Sequence, residues 1–152
     1  MVKCLLSCFV CATILLGGNM ENKTIQKCLT SSNRTEVIID GKYDEITNIG
    51  ELNQILKKML NNSRTMPAFG VSIHNETIEA MKSGVWLRLI YENETWVDGM
   101  NFDELLININ PTFSGFNIIR GNNGIYEGRC YYIDLVDNTM KALYEYLNKG
   151  FD

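Results

Sequence analysis

Few side chains in this sequence are both chemically active and suggestively spaced. His74 is the only histidine. A lone imidazole is the simplest general base near neutral pH. It lacks a second histidine, a paired nucleophile and a G-x-S-x-G elbow. It stands where a strand-like run meets a helix start, so its plainer role is structural.

Arg88, Arg120 and Arg129 all fall in strand-like segments. The stretch GFNIIR-GNNG-IYEGRCYYIDL reads as a hairpin, because Asn123-Gly124 suits a type I′ turn. That turn sets Arg120 opposite Glu127, Ile118 opposite Arg129 and Phe116 opposite Tyr131. Phe116, Arg120, Glu127, Arg129 and Tyr131 then share one sheet face as an aromatic and cationic patch. Such a patch grips a carboxylate, a phosphate or an acidic loop. The plainer reading is a solvated face with local ion pairs, which contribute little. A further alternative is a pocket lined by His74, Arg120 and Arg129.

Glu92, Glu94, Asp98, Asp103 and Glu104 cluster around Trp96 and Met100. No calcium loop of the D-x-[DN]-x-[DN]-G type is present. Trp96 between acids reads as an exposed anchor for a protein partner, since tryptophan dominates interface hot spots. Gly121 to Gly124 lacks the P-loop pattern and reads as a turn. Cys28, Cys130 and His74 have no metal-ligand spacing, so no metal is expected, and no cofactor motif is present.

The elements that must position these residues follow from periodicity. Glu36 to Asp40 is a short strand, read as an edge. Asn48 caps a helix with Glu51 three residues on, and Leu52, Ile55, Leu56, Met59 and Leu60 form its stripe. Phe69 to Ile73 is a strand, and Asn75 caps a short helix over 76–83. Val85 to Tyr91 is the strongest strand, apolar on both faces, hence central. Glu92 to Glu94 reads as a turn and 105–109 as a strand. Asp137 caps a last helix with Met140, Leu143, Tyr144 and Leu147 inward. The fold class is α+β, a mostly antiparallel sheet of about five strands packed by two or three amphipathic helices on one face.

The 152 residues suit one domain with a sizeable core. Residues 1–19 form a leader, 20–35 a flexible tail and 36–150 the domain. The apolar run Cys4 to Leu16 suits a secretory signal and is too short to span a bilayer. Its cleavage site is poor, with Leu16 where a small residue is needed. Leu16-Gly17-Gly18-Asn19-Met20 can instead be encoded TTA-GGA-GGT-AAT-ATG, which contains a bacterial ribosome-binding sequence. Met20 is therefore the favoured start, with a cytoplasmic location. Secretion via residues 1–18 is the alternative. In that alternative Cys28 and Cys130 can pair, and the sequons at Asn22, Asn33, Asn61, Asn75 and Asn93 accept glycans.

A formal net charge of −4 disfavours nucleic acid and anionic membrane. It leaves a protein partner, or a small anionic ligand. The expectation is a small acidic protein-binding module of bacterial type, non-catalytic and inhibitor- or immunity-like. The alternatives are a small-ligand binder or enzyme, and a secreted glycoprotein.

Overall fold

The computed structural model describes residues 23–150. The leader, with Cys4, Cys8, Cys11 and the Asn22 sequon, lies outside the described residues. In chain order the elements are α1 (Ile25–Cys28), β1 (Arg34–Ile39), β2 (Lys42–Glu45), α2 (Ile49–Leu60), β3 (Arg64–Met66) and β4 (Val71–Ser72). Then follow α3 (His74–Ala80), β5 (Val85–Val97), β6 (Met100–Ile109), β7 (Gly115–Gly121), β8 (Gly128–Arg129), β9 (Tyr131–Asp134) and α4 (Lys141–Lys149).

The fold is α+β. Seven strands form one antiparallel sheet in the order β2-β1-β5-β6-β7-β9-β3, and β4 and β8 form a separate two-stranded ribbon. The main sheet therefore exceeds the five strands expected. Two short polar strands account for the difference. Asp40 and Gly41, both at positive φ, turn the chain so that β2 pairs with β1. The segment read as an edge is thus second from the edge. β3 adds to β9 at the opposite side and is exposed throughout. Neither has the apolar alternation that identifies a half-buried strand.

β5 does not break at Glu92 to Glu94. Its ladder with β6 shifts register between Ile90 and Thr95, so these residues form an irregularity inside one strand. The true turn is Asp98-Gly99, at φ 52° and 74°.

Val85, Leu87, Leu89 and Tyr91 of β5 join Leu105, Ile107 and Ile109 of β6 in one core. Leu52, Leu56 and Met59 of α2 and Leu143 and Leu147 of α4 belong to the same cluster. Asn48 caps α2 as expected, its Oδ1 accepting from the Glu51 N–H and its Nδ2 donating to the Glu51 carboxylate. α4 begins later than expected. The Asp134 Oδ1 accepts from the Val136 N–H, Val136 sits at φ 60°, and Met140 takes the N-cap position without a side-chain bond.

From Thr24 onward the expected tail is part of the packed domain. Thr24 caps α1, and Ile25, Cys28 and Leu29 are buried. Gln26 donates to Ser63 at 2.8 Å. A single helical turn is too short to show periodicity, which is why composition alone suggested a tail.

Tyrosines tie this core to backbone carbonyls. Tyr91 donates to Cys28 O at 2.6 Å and Tyr131 to Val97 O at 2.8 Å, and Phe102 meets both rings edge-on. Burial pushes the phenols of Tyr91, Tyr126 and Tyr131 above their ordinary value. The unfolded chain releases these protons near pH ~10 while the folded chain keeps them, so the native state binds more protons there. Stability is expected to fall as pH rises past about 10, read as a declining urea midpoint, and Tyr91→Phe should shallow the decline. A flat profile would contradict this account of the core.

Candidate functional site

The expected patch of Phe116, Arg120, Glu127, Arg129 and Tyr131 does not exist as a surface. Asn123-Gly124 does form the turn, at φ 50° and 78°, but the β7–β9 register is displaced by two residues. Ile118 faces Tyr131 and Phe116 faces Ile133. The cause is Gly128, at φ 101°, where the chain leaves the ladder and β8 pairs with β4 instead. A displacement of two keeps every side chain on its expected face. That face is the core side, and Phe116 and Tyr131 are buried there.

Arg120 donates to Arg129 O at 2.7 Å and to Asn101 O at 2.8 Å, which fastens the excursion to β6. Its guanidinium occupies the space beside Gly128 where a Cβ would stand 2.8 Å from Nη2. The Arg120–Glu127 cross-strand pair is therefore replaced by bonds to carbonyls. Glu127 and Arg129 are exposed.

His74 opens α3. Its Nδ1 accepts from the Tyr126 N–H at 3.1 Å, and its ring stacks on Tyr126 with centroids 5.9 Å apart. That nitrogen is thereby committed to holding the excursion. None of the clefts described below has His74, Arg120 or Arg129 in its wall.

Arg88 is the centre of an ion cluster on the second sheet face. It pairs with Glu36 at 2.9 Å and with the buried Glu104, and Arg34 also reaches Glu36 at 3.2 Å. Burial works against the Arg88 cation, and the hydrogen bond and charge of Glu104, the nearby Tyr126 phenol and the hydrogen bond to Glu36 outweigh it, so its proton is held more tightly than usual. Gly121 lies opposite Glu104, and a Cβ there would stand 2.8 Å from Glu104 Oε1. The cluster is fully satisfied within the protein: no buried side-chain polar atom lacks a partner among the described residues. Its role is structural.

Trp96 is 59% exposed at the β5–β6 turn, as an anchor would be, and its Nε1 donates to Glu94.

The second face carries a groove that the sequence did not single out. A cleft of about 540 Å³ lies on it, walled by Phe69, Phe113 and Tyr132 over a floor that includes Trp86, Asn117 and Ile119. No charged side chain lines it. A second cleft of about 320 Å³ shares Trp86, Asn117 and Ile119 and is walled by Val71, Ser72 and Ile73, with Glu76 its one charge. The two form one continuous groove. Phe69 is 72% exposed, Val71 69%, Phe113 56% and Ile73 54%. Gly115 is required here because the Tyr132 ring lies across it, where any Cβ would collide. Phe69 and Tyr132 meet at 6.0 Å. The alternation of Phe69, Val71 and Ile73 was legible as a strand, but its orientation toward solvent was not.

Trp96 is remote from this groove. Its partner in the ladder is Asn101, whereas Asn108 of the same strand lines the groove. Seven residues of strand separate the two, roughly 23 Å.

Cys28 and Cys130 are both free and buried. Cys28 belongs to the first-face core, while Cys130 walls the groove on the second, so the sheet separates them and the pairing offered by the secretion alternative is not formed. Among the described residues no group of three or more His, Cys, Asp or Glu is placed to hold a metal ion, and no helix is long and apolar enough to cross a membrane. No protein-family model, curated protein or solved structure matches the chain.

Two outcomes follow from this geometry. Arg88→Met strands Glu104 in the interior and is expected to cost about 3–5 kcal/mol, most of it recovered in the double variant Arg88→Met, Glu104→Leu. Chemical denaturation of the three proteins measures both effects, and full additivity would contradict the pairing. Burial raises both thiols above their ordinary value. Cys28 and Cys130 should therefore resist iodoacetamide in the folded chain and react on unfolding, as peptide mass mapping would show.

Proposed function

We propose that this chain is a small, non-catalytic protein-binding module whose partner docks on the second face of the sheet. In this reading α2 and α4 back the first face and leave the second for the partner. One observation carries the proposal. A cleft with exposed aromatic walls and no charged side chain lies on the surface of a chain in which 21% of residues are charged. Contiguous exposed apolar walls rimmed by polar residues mark interaction sites. The non-catalytic part of this reading is supported by His74, whose Nδ1 accepts a backbone N–H, and by the Arg88 cluster, which pairs internally.

A binder without reactive groups acts by occupying its partner, which suits an inhibitor- or immunity-like role. In this reading the chain works in a reducing compartment such as the bacterial cytoplasm, where the thiols of Cys28 and Cys130 stay free.

The test is a double variant, Phe69→Ser with Phe113→Ser, alongside Trp96→Ala. Both phenylalanines are exposed, so thermal unfolding should be unchanged. The partner captured by the unaltered chain is identified by mass spectrometry and purified. Its affinity should then drop at least tenfold, about 1.4 kcal/mol, for the double variant. Trp96→Ala should leave it within about twofold. An undiminished affinity of the double variant overturns the proposal.

A further inference from the structure

The groove's own chemistry specifies what kind of segment it takes, given the partner reading above. Its walls carry Glu76 and no other charge. Over the cleft between Phe69 and Phe113, which Glu76 does not line, a charged ligand would lose hydration without gaining a counter-ion. The occupant is therefore uncharged along the contact.

The backbone adds a direction to this. β4 belongs to a two-stranded ribbon, with β8 on one edge and, among the described residues, no strand on the other. Cys130 N–H donates to Gly70 O at 3.2 Å, so Gly70 turns toward β8. Alternation then turns the N–H and C=O of Val71 toward the unpaired edge. The chain remains extended through Ile73, at φ −118° and ψ 126°. Val71 and Ile73 both line the groove.

The other open edges are built differently. β2 presents Lys42, Asp44 and Glu45, and β3 presents Arg64 with Pro67 just beyond. Charges and proline are the usual means of blocking strand addition. The run from Met66 to Ile73 contains no charged residue. Asn117, exposed in the groove floor, offers both a donor and an acceptor at the same place.

We propose that the partner supplies an extended, uncharged segment that adds as a strand to the free edge of β4, its alternate side chains entering the groove between Phe69 and Phe113. Backbone bonds to Val71 hold the segment, and the aromatic walls select its side chains, as in other strand-addition complexes.

A displayed library of random decapeptides selected on the full chain tests this. The enriched peptides should be uncharged, with apolar residues at every second position. N-methylation of the peptide backbone should weaken binding at least tenfold at one set of alternate positions and leave the other set unaffected. Hydrogen exchange at the Val71 amide should slow at least tenfold on binding. Failure to enrich any peptide, enrichment of charged peptides, or apolar spacing of three and four overturns strand addition. Binding lost in Phe113→Ser but indifferent to N-methylation also overturns it, while leaving the groove as the docking site. Binding indifferent to both changes overturns the groove reading as well. Sedimentation of the chain alone completes the test. A concentration-dependent dimer abolished by Val71→Asp would assign the edge to a second copy and overturn the partner segment.

Discussion

The contact between Arg120 and the bare Cα of Gly128 sets the path of the chain across the second face of the sheet. The left-handed conformation at Gly128 takes the chain off the β7–β9 ladder, and Arg120 fills the space that any side chain there would need. The residues that leave the ladder then cross the second face. Tyr126 closes a small core with Ile38, Met81, Trp86 and Leu106, and β8 supplies the strand to which β4 is bonded. Without this departure β4 would have no support, and the groove would lose a wall.

The same face also buries charge. The strand pairing sets Glu36 opposite Arg88, and Glu104 reaches Arg88 from the diagonal position on β6. Ion pairs of this kind contribute little net stability against an apolar replacement, but each partner is costly to leave alone. Their effect is to fix which residues stand together. An apolar stripe running unbroken across the whole face would tolerate slippage between strands. An interior carboxylate that has one cation within reach does not.

Much of the architecture was written in local pattern. The capped stripe of α2, the alternating core residues of β5 and the Asn123-Gly124 turn each follow from chemistry within a few residues. The site was not legible in that way. The expected Arg120–Glu127 pairing kept the ladder in register up to Gly128, a glycine whose place inside a strand marks a bulge. Gly128 goes further, leaving the ladder for a strand 56 residues away at Ser72. The two-residue displacement preserves facing, so the hydrophobic pattern gave no warning. The inward-facing Phe116 and Tyr131 were assigned to the wrong layer because amphipathic helices and solvent are indistinguishable from one strand's alternation. Phe69, Val71 and Ile73 presented the reverse problem: apolar spacing suggests a core, and only the tertiary arrangement shows them exposed.

The strand order has a consequence for assembly. β5, β6, β7 and β9 follow one another closely in sequence and lie side by side, but the strands that flank them both come from the N-terminal half. β1 joins one border and β3 the other, so the segment between them, including α2, must traverse the full width of the sheet. Loop-closure entropy favours the sequence-local meander and penalises these distant pairings. Each end of the traverse restrains the other: once β1 is zipped to β5, β3 can search only the volume that α2 and its linkers allow. The N-terminal half is thus a clasp whose two hooks close on opposite margins of a plate made by the rest of the chain.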